Sequence, residues 1–211
     1  MITVIDYGAG NLRSVCLALE SINVPWTISA DPKEISAAER VIFPGVGAAA
    51  SAIKVLQEKG LEQAIKDYVA SGKPFLGICL GTQIIFNFSE EDQGTECLGL
   101  IPGNVIHFDF PQDEKRSVPH MGWNQVNFSK PHPLFKDIEN GSNFYFVHSY
   151  YPCPEDKTMA IASTDYGSIS FTCAITKNNL IATQFHPEKS GRHGLQLLKN
   201  FSTWDGTNNA K

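Results

Sequence analysis

A cysteine flanked by glycines is the residue of this chain best placed for nucleophilic chemistry. It lies at the centre of Gly77-Ile-Cys-Leu-Gly81, between an apolar run at 74–76 and a possible helix start at 82–86. A strand, a tight glycine-flanked turn and a helix form a nucleophile elbow, here with sulfur in place of the usual serine oxygen. The positive end of the helix would favour a thiolate at Cys79. The alternative is a small buried cysteine with a packing role.

A histidine and a glutamate two residues apart supply the groups that a cysteine nucleophile needs. They belong to Gln184-Phe-His-Pro-Glu188, which follows an apolar strand candidate. The nucleophile requires a base that takes its proton, and the base requires a partner that fixes its orientation. The pattern predicts a triad with Cys79 as nucleophile, His186 as general base and then acid, and Glu188 as the orienting group.

A glycine-rich loop could stabilise the negative charge that develops on the substrate oxygen. Pro44-Gly-Val-Gly47 follows the apolar run 41–43. We expect one oxyanion donor from the backbone N–H of Leu80, next to the nucleophile, and the other from the loop at Val46. Losing one such donor typically costs about 2.7–4 kcal/mol of transition-state stabilisation. An ordinary turn is the alternative interpretation of the two glycines.

Length and composition predict one domain over residues 1–211, with a polar, frayed tail at 203–211. The chain is 42% hydrophobic and 18% charged, and its net charge of −5 is unfavourable for binding nucleic acid. No apolar run is long enough to cross a membrane, and the first residues lack a signal-peptide pattern. Five scattered cysteines suit free thiols in a reducing cytoplasm.

Neither a metal nor a nucleotide cofactor is expected. No cysteine or histidine spacing is typical of a metal site. Gly8-Ala-Gly10 follows the first strand as a dinucleotide fingerprint would, but Arg13 stands where a third glycine is needed.

The distribution of apolar runs predicts an α/β fold with an open, mostly parallel central sheet, flanked by helices and extended by antiparallel strands. The expected strands are 2–6, 25–29, 40–43, 74–78, 103–108, 123–128, 143–148, 159–163, 168–176 and 180–185. The expected helices are about 11–22, 48–58, 61–71, 80–88 and 191–202. Because ligands bind at the carboxyl ends of parallel strands, the three loops that carry Cys79, His186 and Val46 should meet there.

Together these motifs resemble those of class I glutamine amidotransferases, which have a flavodoxin-like fold. Further motifs resemble the family of glutaminase subunits of imidazole glycerol phosphate synthases. They are Asp6-Tyr-Gly-Ala-Gly-Asn-Leu-Arg-Ser14, Gly99-Leu-Ile-Pro-Gly103, His120-Met-Gly-Trp-Asn124, Tyr145-Phe-Val-His-Ser-Tyr150 and Lys189-Ser-Gly191. The resemblance covers nearly the whole chain.

The resemblance implies that Cys79 hydrolyses L-glutamine to glutamate and ammonia through a thioester. It also implies that the substrate is held by Gly47, Gln83 and the backbone at Ser149 and Tyr150. The ammonia would pass to a (β/α)₈-barrel cyclase subunit, forming a heterodimer that makes imidazole glycerol phosphate and an aminoimidazole carboxamide ribotide for histidine synthesis.

The same resemblance implies an interface and gate formed by Asn11, Trp123, Tyr145 and Lys189. The alternative is that Trp123 and Tyr145 are core aromatics and that Lys189 is a solvated charge.

Two positions depart from the family pattern, and two other functions stay open. Thr82 replaces a methionine after the elbow, and Ala49-Ala50 stand where a bulky phenylalanine is usual. A paralogous glutaminase could deliver ammonia to a different acceptor, such as an amido-sugar, because the partner determines the acceptor. A γ-glutamyl hydrolase or other cysteine hydrolase would share the elbow and His186 but would not need the additional motifs.

Overall fold

A computed structural model describes residues 1–208, and six α-helices fall within that range. They are α1 (Leu12–Ser21), α2 (Pro32–Ala37), α3 (Ala49–Glu58), α4 (Leu61–Ala70), α5 (Leu80–Gln83) and α6 (Gly191–Thr203). Short 3₁₀ turns occupy Glu91–Gln93, Pro133–Phe135, Lys157–Met159 and Pro187–Lys189. None of the helices in this range is long and apolar enough to cross a membrane.

The same residues form fourteen strands. They are β1 (Ile2–Ile5), β2 (Trp26–Ser29), β3 (Arg40–Gly45), β4 (Phe75–Cys79), β5 (Phe86–Ser89), β6 (Thr95–Glu96), β7 (Ile101–His107), β8 (His120–Gln125), β9 (Asn127–Phe128), β10 (Asn143–His148), β11 (Tyr150–Pro154), β12 (Ala160–Tyr166), β13 (Ile169–Lys177) and β14 (Leu180–Thr183).

An eight-stranded sheet forms the centre of the molecule, in the order β2-β1-β3-β4-β14-β13-β12-β9. The strands from β2 to β14 are parallel, and those from β14 to β9 are antiparallel. This arrangement confirms the predicted α/β class with a mostly parallel centre and added antiparallel strands.

Alternating side chains of the parallel strands pack on two opposite faces. On one face, Ile42 and Leu76 join a core cluster with residues of α1 and α6. On the other, Phe43 and Phe75 join a cluster with residues of α2, α3 and α4. Helices on both faces exclude water from the sheet, which explains the continuous apolar runs in the parallel strands.

Two smaller sheets complete the second half of the chain. Strands β10 and β8 form an antiparallel pair, and the other sheet has the order β11-β7-β5-β6. Strand β11 was not predicted from the sequence, because it contains Pro152 and Pro154. It lies at a sheet edge, where a missing backbone N–H is tolerated.

The predicted helix over 80–88 is wrong beyond its first turn. The helix ends at Gln83, and Phe86–Ser89 form strand β5. The carbonyls of Ile84, Ile85 and Phe86 accept backbone N–H groups from residues 98–101. This pairing with a later segment satisfies the backbone in place of helical hydrogen bonds, and local sequence does not reveal it.

Two other local expectations need correction. Helix α2 was missed, although Asp31 caps its N-terminus by accepting from the backbone N–H of Lys33. The expected frayed tail is wrong at its start, because Thr203 ends α6, Trp204 is buried, and the Asn208 side chain contacts His132. Residues 209–211 of that tail lie outside the described residues.

Three strand ends meet at one edge of the central sheet. Gly45 at the end of β3 pairs in register with Cys79 at the end of β4, and Thr183 of β14 pairs with Ile78. The loops that carry Val46, Cys79 and His186 therefore leave the sheet side by side, as expected for the carboxyl edge of a parallel sheet.

Candidate active site

Cys79 lies on a strained turn between β4 and α5. Its φ of 53° and ψ of −108° are unfavourable for a residue with a side chain, which typically costs about 1–3 kcal/mol and is common at active sites. A Cβ on Gly81 would lie 2.0 Å from the Phe43 carbonyl oxygen, so only glycine allows the elbow to approach β3 this closely. The predicted strand, turn and helix are therefore present around the cysteine.

His186 and Glu188 form a buried pair next to the elbow. His186 Nδ1 lies 2.7 Å from Glu188 Oε1, and both side chains are 0% exposed. Asn11 Nδ2 donates to the same Glu188 oxygen at 3.3 Å. The carboxylate therefore fixes the imidazole through Nδ1 and leaves Nε2 for the nucleophile.

The protonated state of His186 depends on Cys79. Burial opposes a charged imidazole, but the negative charge of Cys79 and the Glu188 carboxylate together raise the pKa of His186 to about 10. His186 Nε2 forms no hydrogen bond of standard geometry with residues 1–208 and interacts with Cys79 electrostatically. Loose catalytic contacts of this kind are common without substrate. The arrangement therefore favours a protonated imidazole next to the sulfur of Cys79.

A cavity of about 330 Å³ opens over the cysteine. Its lining includes every residue predicted for the oxyanion donors and for substrate binding: Val46, Gly47, Leu80, Gln83, Ser149 and Tyr150. Leu80 is the first residue of α5, so its N–H has no partner within the helix. A larger cavity, of about 620 Å³, lies against Phe128, Phe135 and Trp204 and contains none of the predicted site residues.

One carboxylate in the cavity was missed by sequence reasoning. Glu91 lines the cavity, and its Oε2 accepts the backbone N–H of Ala49 at 2.8 Å. Burial raises the pKa of Glu91, an effect that this hydrogen bond opposes. The acidic run 90–92 was the available signal, but the incorrect helix over 80–88 concealed that a strand delivers it to the cavity.

Hydrogen bonds from two directions fix the backbone at Tyr150. Its carbonyl oxygen accepts Gln83 Nε2 at 2.9 Å and contacts His148 Nδ1 at 2.7 Å. His148 Nε2 lies 3.0 Å from His120 Nδ1. Since a carbonyl only accepts, His148 carries its proton on Nδ1 and accepts from His120 through Nε2. Two buried histidines, His148 and His120, therefore hold the backbone at Tyr150 in place.

The departures from the family pattern have clear places in the structure. Thr82 is fully buried, and its hydroxyl donates to the Thr183 carbonyl at 2.6 Å. This hydrogen bond joins the elbow helix to the strand that precedes His186. Ala49 is also fully buried at the start of α3 and provides the backbone donor for Glu91. Both positions thus support the cavity without reactive side chains.

The predicted interface residues are divided between the surface and the interior. Trp123 is 58% exposed, so its interpretation as a core aromatic is wrong. Its ring meets Tyr145 edge-on at 6.2 Å, and Lys189 Nζ lies 5.9 Å from the Tyr145 ring centroid. We call Trp123, Tyr145 and Lys189 the aromatic cluster. Asn11 is only 4% exposed and contacts Glu188 instead.

The aromatic cluster is connected to the triad through backbone hydrogen bonds. The N–H of His186 donates to the Tyr145 carbonyl at 2.9 Å. The N–H of Tyr145 donates to the Ser190 hydroxyl, which itself donates to the His186 carbonyl. A displacement of β10 at this surface would therefore move His186, the predicted general base.

The model of the glutamine amidotransferase class-I family matches residues 3–203, and the chain belongs to this family. Curated relatives named imidazole glycerol phosphate synthase subunit HisH match nearly end to end. The relative from Dehalococcoides mccartyi is 48% identical, covering 95% of this chain and 96% of its own. The one from Moorella thermoacetica is 50% identical, covering 95% and 93%.

Solved structures show the same fold at low identity. A PurLQS structure from Thermotoga maritima has a TM-score of 0.69 and 18% identity, covering 95% of this chain and 96% of its own. A glutamine amidotransferase structure has a TM-score of 0.71 and 16% identity, covering 95% and 97%.

Proposed function

We propose that this protein is the glutaminase subunit of an imidazole glycerol phosphate synthase, acting in L-histidine biosynthesis. The observation that carries the proposal is the geometry around Cys79, where a strained cysteine, a buried His186–Glu188 pair and a cavity meet at one sheet edge. Near full-length relatives that bear the HisH name support the pathway.

The first half-reaction transfers the γ-glutamyl group to sulfur. The Cys79 thiolate adds to the side-chain carbonyl carbon of glutamine, and the N–H groups at Val46 and Leu80 bind the resulting oxyanion. His186 gives its proton to the nitrogen as the C–N bond breaks, so that ammonia leaves. The product is a thioester on Cys79, and His186 is left neutral.

Water completes the cycle. Neutral His186 takes a proton from water, whose oxygen adds to the thioester carbonyl. The C–S bond then breaks, which releases glutamate and restores the Cys79 thiolate beside a protonated His186. Glu188 keeps Nε2 directed at the sulfur in both halves.

We assign the remaining cavity residues to the two ends of glutamine. Gly47, Gln83 and the backbone at 149–150 line the cavity and would hold the side chain. Glu91 provides a carboxylate in the same cavity. Its Oε2 accepts the Ala49 N–H, and Oε1 does not take part in that hydrogen bond. We assign Glu91 to the α-ammonium group of glutamine, because a partly buried ammonium needs an anionic acceptor.

The partner in this proposal is a (β/α)₈ cyclase subunit that receives the ammonia. The aromatic cluster supports this partner, because exposed aromatic residues are typical of protein interfaces. The cluster is also linked to the site, since the Tyr145 carbonyl accepts the N–H of His186. We also place the protein in the cytoplasm, where its five free thiols would remain reduced.

A glutamate-release assay tests this function. It is run with the chain alone, with the cyclase subunit, and with the cyclase and its ribotide substrate. We expect a strong increase when both are added, and no release above background from Cys79→Ser in any arm, although that variant should still bind the cyclase. Full activity of the isolated chain would contradict the partner proposal. Substantial activity of Cys79→Ser would contradict the mechanism.

A further inference from the structure

A buried glutamine from the end of another strand contacts the sulfur of Cys79. Gln184 is fully buried immediately after β14, and its Nε2 lies 3.7 Å from Cys79 Sγ. This is a normal length for an N–H donor to sulfur, whose radius exceeds that of oxygen. The triad mechanism assigns no role to this amide.

The orientation of the Gln184 amide follows from its second contact. Gln83 Nε2 donates to Gln184 Oε1 at 3.1 Å and to the Tyr150 carbonyl at 2.9 Å. Because the Tyr150 carbonyl only accepts, the Gln83 nitrogen must face it, and the same nitrogen then requires an acceptor on Gln184. The Gln184 oxygen therefore faces Gln83, and its nitrogen faces the sulfur.

We propose that Gln184 is a catalytic residue that donates a hydrogen bond to the Cys79 thiolate and is held in the donating orientation by Gln83. A hydrogen bond to a charged acceptor is about twice as strong as one between neutral groups. Gln184 and Cys79 are both buried, so the donor replaces part of the solvation that a thiolate loses on burial.

The proposal explains why a polar side chain is buried behind the nucleophile. The sulfur is negatively charged before acylation and again after thioester hydrolysis, but is neutral in the thioester. A donor on sulfur therefore stabilises the resting enzyme and the leaving thiolate of the second half-reaction. It also couples the sulfur to the cavity, because Gln83 lines the space that glutamine would occupy.

Cysteine alkylation measures this effect without glutamine. The inference rests on the proposed function for its meaning in catalysis, but its test does not require activity. The rate of alkylation by iodoacetamide is followed between pH 5 and 10, and mass spectrometry of the Cys79 peptide separates this residue from the four other thiols.

Replacement of the donor should move the alkylation profile. Gln184→Met keeps the side-chain volume and removes the N–H, so we expect the midpoint of the Cys79 profile to rise by about one to two pH units. Gln83→Met leaves the Gln184 amide free to turn, and we expect a smaller rise in the same direction.

A second buried amide provides the matched control. Asn179 is 6% exposed and donates to the carbonyls of Val69 and Lys73, at the opposite end of β14 from Cys79. Asn179→Leu should lower the melting temperature and leave the alkylation midpoint at its wild-type value. A purely structural role of Gln184 would give the same result for Gln184→Met.

The outcomes are decisive in each arm. A midpoint unchanged in Gln184→Met overturns the proposal, and so does an unchanged midpoint in Gln83→Met if Gln184→Met does not fold. If the two variants show the expected shifts but the wild-type protein fails to release glutamate with the cyclase, the proposed function is refuted and the hydrogen bond to sulfur is retained.

Discussion

At the scale of single residues, the site depends on ionisable groups that are buried next to each other. His186 and Glu188 have fully buried side chains, and burial alone would keep the imidazole neutral. The negative charge on Cys79 reverses this effect and raises the pKa of His186 to about 10. We therefore expect His186 to be protonated in the resting enzyme, ready to give its proton to the leaving nitrogen of glutamine.

The charge on His186 should disappear when its partner is removed. In Cys79→Ser the side chain stays neutral, so burial dominates and the pKa of His186 should fall by several units from about 10. Side-chain ¹⁵N NMR of the histidines across pH 5–10 measures this. The wild-type imidazole should stay protonated to about pH 10. A His186 that titrates identically in both proteins would show that Cys79 carries no charge at rest.

Asn11 is a neighbour of the predicted triad that contacts Glu188. Asn11 donates to the carboxylate oxygen that also binds His186. Sequence reasoning placed Asn11 at the interface through a resemblance, whereas its side chain is buried. Its role as a gate stays a prediction, for which its contact with Glu188 offers one route.

At the scale of elements, the ends of β4 and β14 must stay aligned although the chain turns sharply after Cys79. Parallel pairing aligns β4 with β14, but the elbow leaves β4 immediately after Cys79. The Thr82 hydroxyl bridges this gap by binding the Thr183 carbonyl. A methionine at this position would fill space but could not donate, so this chain uses a hydrogen bond where the family pattern relies on packing.

Loss of the Thr82 hydroxyl should reduce both stability and turnover. Thr82→Val keeps the shape but leaves the Thr183 carbonyl without this donor, which should cost about 1–3 kcal/mol in the free energy of unfolding. Because the elbow and His186 are no longer tied, kcat for glutamine hydrolysis by the complex should also fall. Urea unfolding and the glutamate-release assay measure the two effects.

A second buried threonine separates these effects. Thr164 is fully buried and donates to the Gln125 carbonyl at 2.6 Å, outside the cavity. Thr164→Val should lose similar stability and keep the wild-type kcat. Equal kcat values in the two variants would mean that Thr82 contributes to folding alone.

At the scale of the whole molecule, buried histidines limit stability in acid. Burial lowers the pKa of His120 and of His132 to about 4. Burial, with the nearby charges of His120 and His186, lowers the pKa of His148 to about 3. In the unfolded chain histidines titrate near pH 6.5. Between pH 6.5 and 4 the unfolded state thus binds more protons, so stability falls as the pH falls.

His132 allows this to be tested away from the site. His132→Asn keeps a side chain able to cap Leu134, whose N–H binds His132 Nδ1. The loss of unfolding free energy between pH 6.5 and 4 should shrink by up to about 3 kcal/mol relative to wild type. Chemical denaturation at both pH values gives this difference. An unchanged loss would show that His132 takes up its proton in the folded state.

The aromatic cluster predicts how the molecule meets a partner. Trp123→Ala removes an exposed ring beside Tyr145, so affinity for the cyclase should fall at least tenfold while the melting temperature stays close to wild type. Calorimetric titration measures the affinity. Ile28→Ala, on strand β2 at the far edge of the central sheet, is the control, since Ile28 is also exposed at 42%. Equal affinities in the two variants would remove Trp123 from the interface.

Much of the fold, and the meeting of the predicted catalytic residues at one sheet edge, could be predicted from the sequence, for identifiable reasons. Buried parallel strands need unbroken apolar runs, as in β1, β3 and β4, and helices on their faces need an apolar stripe, as in α6. The end of α5 at Gln83 and strand β5 were not accessible, because hydrogen bonds from residues 98–101 to the carbonyls of 84–86 decide the conformation there. Glu91 was missed as a consequence.

By itself, the sequence determined which groups could react. Glycines at 77 and 81 and the spacing of His186 and Glu188 are local requirements of an elbow and an oriented base, and local patterns record them. Only the tertiary structure decided which other groups surround the reactive ones. Gln184 contacts the sulfur, Asn11 contacts Glu188, and Glu91 lines the cavity after strand β5. Neither these contacts nor the burial that modifies their charges is encoded in a short stretch of residues.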